Sequence, residues 1–338
     1  MDISPEGEAY KGHIVELGTK ATMAAERLPE TVAYLDTGAE SDRFEGMTSN
    51  DALRMFGADD PERLFSITEV AGCRTFRFLP RTDRGHTVLY LHGGGHVFGY
   101  TQVYFEHNRA LAEECSVTVV SPDFILGSGR RRGIHRETCE QVLSVYLELV
   151  KEGRPVHLMG DSSGGALALI LWQMVRERGL PSPAGLVLFS PYVDPGFSIP
   201  VDEDLAGRDI TLDRPGLDGC VGLWAGDTDL SDPGISPING RFDGIPRTIV
   251  TVGTDEIFLP SNEELARRID EAGGDVTLVR CVGSYHIFPV FTTLPESRKV
   301  MELVRDLCGR DRTEFQTVTG DMHPPSGTGR RPDRSRPR

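Results

Sequence analysis

Met159-Gly160-Asp161-Ser162-Ser163-Gly164-Gly165 stands where one apolar pattern gives way to another. Before it, Pro155-Val156-His157-Leu158-Met159 is an apolar run of strand length. After it, residues 166–175 are apolar all round and long enough for a buried helix. Between them, Gly160-x-Ser162-x-Gly164 matches a nucleophile elbow, the sharp strand-to-helix turn that exposes a serine hydroxyl. The spacing has a steric reason: in so tight a turn the positions two before and two after the serine have little room for a Cβ. The serine is held strained beside the first free N–H groups of a helix. An ordinary glycine-rich turn shares these letters but not both flanks. Ser162 is the candidate nucleophile.

Outward from this turn, apolar runs of strand length recur at 87–91, 117–120, 156–159, 186–189, 248–252 and 276–282. Helical segments at 105–115, 138–151, 164–178, 261–272 and 296–308 separate them; the fourth opens on the capping-box pattern Ser261-Asn262-Glu263-Glu264. Near-continuous apolar strands alternating with helices predict an α/β fold: a mostly parallel sheet covered on both faces. Residues 74–79 alternate and predict an outer antiparallel strand. Residues 1–70 show no strand alternation and predict a helical cap segment, with 21–28 its clearest helical piece. The core is then expected over 71–309. An irregular Asp-, Gly- and Pro-rich stretch inside it predicts a second cap element around 196–230. Residues 310–338, almost without apolar side chains, predict a disordered tail.

Composition excludes several classes of function. A net charge of −15 over 338 residues would repel a phosphate backbone, so no nucleic-acid partner is expected. No apolar run reaches the length of a membrane span. The first residues, Met1-Asp2-Ile3-Ser4-Pro5, have neither a basic start nor an apolar stretch, so a cytoplasmic protein is expected. The six cysteines lie far apart with no C-x-x-C pair, which suits buried, reduced thiols better than disulfides or a zinc site.

A serine hydroxyl needs a general base, an orienting acid and an oxyanion hole. Each has a candidate at a predicted strand end, where α/β sheets place their sites. Leu91-His92-Gly93-Gly94-Gly95-His96 follows the strand at 87–91, and its glycines let backbone N–H groups approach a bound carbonyl. A further donor is the N–H of Ser163. His92 and His96 are spaced as a helical metal pair, but three glycines between them make a helix untenable there, and no metal is expected. His286, in Gly283-Ser284-Tyr285-His286-Ile287-Phe288, follows the strand at 276–282 and is the candidate base. His157 falls inside a strand and reads as core, while His96, His107 and His135 read as pocket walls. For the acid, Val252-Gly253-Thr254-Asp255-Glu256 ends the strand at 248–252 with two adjacent carboxylates. Asp255 is expected to orient His286, its shorter arm holding an imidazole with less rotamer freedom. Glu256 is expected to make a structural contact toward the helix at Ser261. The chain order Ser162, Asp255, His286 is that of an α/β-hydrolase triad.

With these residues in place, the chain resembles the hormone-sensitive-lipase-like branch of the α/β-hydrolases, the bacterial and plant carboxylesterase group. The resemblance rests on His92-Gly93-Gly94-Gly95, Gly160-Asp161-Ser162-Ser163-Gly164-Gly165, Ser190-Pro191-Tyr192-Val193-Asp194, Ile235-Ser236-Pro237, Val252 to Glu256 and Tyr285-His286-Ile287-Phe288-Pro289, and covers roughly residues 70–308. It implies an eight-stranded sheet, a helical cap, no cofactor and hydrolysis of small-molecule carboxylic esters, typically with short acyl chains. By position it implies a triad of Ser162, Asp255 and His286, and an oxyanion hole from Gly94, Gly95 and Ser163. It also implies substrate-facing positions at His96 and Asp161. Members are often dimers, so a homodimer is open to this chain.

Two stretches depart from the family. Where it usually continues Asp-Tyr-Arg-Leu-Ala-Pro-Glu, this chain reads Asp123-Phe124-Ile125-Leu126-Gly127-Ser128-Gly129-Arg130-Arg131-Arg132, without the bracing Arg and Glu. Arg130–Arg132 reads either as a solvated loop or as a holder of an acidic substrate. His96 replaces the usual aromatic after the third glycine, so one pocket wall is expected to be more polar. The same constellation also serves acyl transfer. Some plant members are dehydratases, and others are non-catalytic gibberellin receptors that lack the triad histidine, which is present here.

Overall fold

The structure, a computed structural model, describes residues 1–17, 27–36, 44–129 and 132–309. Most of the predicted helical piece at 21–28 and all of the predicted tail lie outside the described residues. Eight strands form one sheet in the order β1-β2-β4-β3-β5-β6-β7-β8. They are β1 (Phe65–Val70), β2 (Cys73–Phe78), β3 (Thr87–Leu91), β4 (Thr118–Pro122), β5 (Val156–Asp161), β6 (Leu186–Phe189), β7 (Thr248–Gly253) and β8 (Val276–Cys281). β1 and β2 pair antiparallel, β2 runs antiparallel to β4, and the pairs from β3 through β8 are parallel. The eight-stranded, mostly parallel sheet matches the expectation.

β1 is one correction: its residues fall in the stretch that the sequence predicts as purely helical. Phe65-Ser66-Ile67-Thr68-Glu69-Val70 does alternate, but its outer positions are only half-buried, so the pattern is faint. Its pairing with β2 across Ala71 and Gly72, both at positive φ, supplies what its sequence signal lacks.

Along the central strands, successive side chains enter opposite halves of the core. Leu158, Leu188 and Val250 join one apolar cluster, whereas Met159, Val187 and Ile249 join the other. Both faces are dry, which is why these strands read as continuous apolar runs. Helix α6 (Ser162–Glu177) is buried along nearly its whole length. Helices α4 (Gln102–Cys115), α5 (His135–Lys151), α9 (Leu259–Glu271) and α10 (Pro295–Cys308) complete the two covering layers. The capping box expected at Ser261 does not form. Helix α9 starts two residues earlier, and the Ser261 hydroxyl donates to the Phe258 carbonyl instead.

Two groups of helices sit outside this frame. From the N-terminal segment come α1 (Pro5–Leu17), α2 (Leu28–Asp36) and α3 (Ser49–Met55); from the insertion after β6 come α7 (Glu203–Arg208) and α8 (Arg214–Ala225). They meet over the turn after β3, where Val32 of α2 packs with Cys220 of α8 against Val97 and Phe98. Among the described residues no helix is long and apolar enough to cross a membrane. All six cysteines are buried, and none of them forms a disulfide.

Candidate active site

The parallel register sets the carboxyl ends of β3, β5, β6, β7 and β8 side by side: Leu91 faces Gly160, Asp161 faces Phe189, and Gly253 faces Cys281. Ser162 follows β5 with φ 52°, a left-handed conformation that a non-glycine residue adopts at a cost. The surrounding sterics enforce it. A Cβ on Gly164 would lie 2.1 Å from the Leu91 carbonyl oxygen, and one on Gly160 would lie 2.5 Å from the Gly164 oxygen. Only glycine fits either place.

The Ser162 hydroxyl lies 2.9 Å from His286 Nε2, and His286 Nδ1 lies 2.8 Å from Glu256 Oε2. Nδ1–H donates to the carboxylate, which leaves the Nε2 lone pair facing the serine hydroxyl. All three residues are buried, Glu256 completely. Its other oxygen accepts the Gly253 N–H at 3.1 Å. Burial pushes the Glu256 carboxyl up, and the hydrogen bond from His286 opposes that rise.

The expectation for Asp255 is corrected here. Its carboxylate turns away from His286 and binds Lys11 Nζ at 2.6 Å and Arg208 Nε at 3.3 Å. The turn after Gly253 sends consecutive side chains to opposite sides, and the longer Glu256 arm is the one aimed inward. The structural contact expected of Glu256 toward Ser261 is absent among the hydrogen bonds of the described residues. Its carboxylate is spent on His286 and Gly253.

Two residues flanking the serine hold the glycine turn after β3. Asp161 Oδ1 accepts from the Gly93 N–H at 3.0 Å and from the Tyr90 hydroxyl at 2.8 Å, and Oδ2 accepts from the Tyr104 hydroxyl at 3.1 Å. Ser163 Oγ accepts from the His96 N–H at 3.1 Å. The turn is thus anchored at both ends, and among the described residues the Gly94 and Gly95 N–H groups have no such partner. Gly94 itself is at φ 113°, where a Cβ would meet the Phe98 carbonyl oxygen at 2.6 Å. Asp161 is a second correction: fully buried behind the turn, it braces the backbone and does not face a substrate.

His96 does lie in the wall beside this turn, but not as a polar patch. Its ring stacks on Trp224 of α8 at 3.6 Å with the planes 3° apart, and Trp224 Nε1 is held by the Thr138 hydroxyl at 3.1 Å. Burial pushes His96 down to about 3, so it is a neutral aromatic plate at ordinary pH. His92 stacks on Phe124 at 4.4 Å, and burial takes it down to about 4. The departing loop is pinned to the glycine turn without the family's Arg and Glu. Gly127 N–H donates to the His96 carbonyl at 2.8 Å, and the Ser128 hydroxyl donates to that of Val97 at 2.5 Å. Arg132 pairs with Asp36 at 3.1 Å, so its charge is matched within the chain; Arg130 and Arg131 lie outside the described residues. His157 pairs with His86 Nδ1 at 3.0 Å inside the fold, remote from the serine, in keeping with its core reading.

The sequence reading missed Tyr90, Tyr104 and Asp209. A tyrosine in the middle of a doubly covered strand needs a buried partner for its hydroxyl, and that was the available signal for Tyr90. Asp209 accepts the N–H groups of Thr211, Leu212 and Ile257, each at 2.8 Å, joining the insertion to the acid turn.

A parallel sheet with a strained serine after β5 and a histidine–carboxylate pair after β8 and β7 defines the α/β-hydrolase class. A family described as alpha/beta hydrolase fold matches residues 88–290. An acetyl-hydrolase of Streptomyces hygroscopicus is 28% identical over 70% of this chain and 80% of its own length. An esterase of Acinetobacter venetianus is 25% identical over 69% of this chain and 77% of its own. The crystal structure of a hormone-sensitive-lipase homologue from a metagenome library superposes with TM-score 0.68 at 25% identity, covering 82% of this chain and 96% of the other. The chain belongs to the alpha/beta hydrolase fold family, in its hormone-sensitive-lipase-like branch, and is an enzyme of the carboxylesterase type.

Proposed function

We propose that the chain hydrolyses short-acyl carboxylic esters through an acyl-enzyme on Ser162. The observation that carries this reading is the unbroken relay from Ser162 Oγ through His286 to Glu256, with hydrogen bonds of 2.9 and 2.8 Å. His286 Nε2 takes the hydroxyl proton as Oγ attacks the ester carbonyl carbon. The buried Glu256 carboxylate stabilises the imidazolium and keeps Nε2 aimed at the serine. The carbonyl oxygen, now an alkoxide, accepts from the N–H groups of Gly94, Gly95 and Ser163, which costs no reorganisation because Asp161 and Ser163 already hold the turn. Collapse of the tetrahedral intermediate expels the alcohol, which takes the proton from His286. Water, activated by the same nitrogen, then releases the acid. The stacked His96 and Trp224 form a rigid plate beside the turn and support a preference for small acyl groups. The acetyl-hydrolase relative supports it too.

The test is a panel of p-nitrophenyl esters of increasing chain length, run on wild type and Ser162→Ala. Acetate and butyrate esters should turn over fastest. The variant should lose activity by about 10⁴ with its fold intact. Retention of more than about a hundredth of the activity by Ser162→Ala overturns the nucleophile. Faster turnover of long-chain esters overturns the substrate class.

A further inference from the structure

The contacts of the first seventeen residues converge on one place. Met1 and Ile3 hydrogen-bond to Val282, and the Ser4 hydroxyl donates to Glu296 at 2.6 Å. Tyr10 stacks near Tyr285, the residue before His286, and lies 4.7 Å from Phe291. Lys11 Nζ donates to Asp255 Oδ2 at 2.6 Å and to the Gly283 carbonyl at 3.0 Å. One ammonium thus ties the acid turn to the histidine loop. Both lysine and aspartate are mostly screened from solvent, with side chains 20% and 17% exposed, so the pair is stronger than a surface ion pair. Arg208, at the end of the insertion helix α7, joins the same carboxylate from the other side.

The two loops are already in contact beneath this clamp. Asp255 N–H donates to the Ser284 carbonyl at 3.0 Å, and Gly283 N–H donates to the Thr254 hydroxyl at 2.8 Å. A Cβ on Gly253 would sit 2.5 Å from the Ser284 oxygen. Glu256 follows Asp255 directly and His286 follows Gly283 by three residues, so any slip between the loops moves the carboxylate against the imidazole.

Building on the triad reading above, we propose that Lys11 is a positioning residue for the Glu256–His286 pair. It acts through Asp255 and the Gly283 carbonyl and makes the N-terminal helix part of the apparatus that sets catalytic geometry. Asp255 is the anion of this clamp and not the triad acid. The lysine touches no reacting atom; its effect is on the alignment of groups that do, where small displacements cost rate.

Lys11→Met, Lys11→Arg, Asp255→Asn and the Lys11→Met/Asp255→Asn double variant of the full chain test this. The readouts are kcat and KM on p-nitrophenyl acetate, and amide exchange across 283–287. Lys11→Met should lower kcat roughly tenfold with KM within about twofold, and speed exchange in the histidine loop. Lys11→Arg should restore kcat to within about threefold of wild type. The double variant should be about as impaired as Lys11→Met alone, because the two residues act as a unit. The proposal is overturned by a Lys11→Met kcat within about twofold of wild type, by a loss confined to KM, by no rescue in Lys11→Arg, or by unchanged exchange. If Ser162→Ala keeps more than about a hundredth of the wild-type activity, it is the triad reading that fails. The exchange measurement, which needs no turnover, then still decides the clamp.

Discussion

The nucleophile elbow after β5 and the acid turn after β7 occupy equivalent ends of nearly adjacent strands, yet they are specified by different physics. At the elbow, space decides. Gly160 and Gly164 stand where a Cβ would strike a carbonyl oxygen, so the backbone has one path and Ser162 one orientation. At the acid turn, direction decides. Asp255 and Glu256 are adjacent and both carry a carboxylate, but one side chain leaves the turn outward to Lys11 and Arg208 and the other inward to His286. Exclusion is written in residue type; direction is written in the tertiary surroundings.

The largest effect should come from filling the excluded space. Gly164→Ala puts a methyl 2.1 Å from the Leu91 oxygen and 2.4 Å from that of His92, both backbone atoms that cannot step aside. Overpacking of this kind costs upward of about 3 kcal/mol. The variant should lose ester hydrolysis and melt well below wild type in calorimetry. Normal melting with normal turnover would mean the elbow is not held by space, and the contrast between the two turns would collapse.

The next effect sharpens the other side. Glu256→Gln should lower kcat by roughly 10³–10⁴ with little change in KM, since an amide next to Nδ1 favours the wrong tautomer and cannot stabilise an imidazolium. Asp255→Asn should cost about tenfold. Steady-state kinetics on the two variants decide between the carboxylates, and a reversed order would return the triad role to Asp255.

Most of the fold was legible for the same reason that the elbow was. β3 through β7 carry buried, mostly apolar runs because both faces are covered, and the glycines at the ends of β3, β5 and β7 mark close backbone approach. Ser162, His286 and the glycine turn were each legible from a strand end. β1 was not, because half of its side chains meet solvent and its pairing comes from β2. Asp161 was misread because its three donors come from β3, α4 and the turn between them, all distant in sequence. His96 looked polar by residue type, and only its stack on Trp224, from an insertion more than a hundred residues away, makes it an aromatic wall.

A smaller effect should follow from loosening one anchor of the glycine turn. Ser163→Ala removes the acceptor of the buried His96 N–H while leaving the Ser163 N–H itself in place. An orphaned buried N–H costs about 1–3 kcal/mol, part of it met by the turn relaxing. Because the turn acts on the alkoxide more than on the bound ester, kcat should fall about three- to tenfold with KM nearly constant. A KM effect alone would show that the anchor shapes the pocket and not the oxyanion donors.

The last expected effect is on stability and not on rate, and it concerns the other anchor. Burial pushes the Asp161 carboxyl up to about 6 from its ordinary 3.8, although hydrogen bonds from Tyr90 and Tyr104, the neighbouring His286 and the Gly93 N–H all pull it down. A raised carboxyl binds its proton more tightly in the folded chain than in the unfolded one. Between pH about 4 and about 6 the folded state therefore holds more protons, and stability falls as pH rises through that window. Above it the full cost is present, on the order of 3 kcal/mol for a shift of about two units. Asp161→Asn cannot titrate. Glu256 and Asp209, which burial also pushes up, contribute alike to wild type and variant and cancel in the difference. Urea unfolding of both proteins at pH 4, 5, 6 and 7 should show wild-type stability declining relative to the variant up to about pH 6 and then running parallel to it. Parallel curves throughout would mean that the two tyrosine hydroxyls offset the burial of the charge entirely. The elbow would then brace its glycine turn at no electrostatic cost, and the two turns would differ in sterics alone.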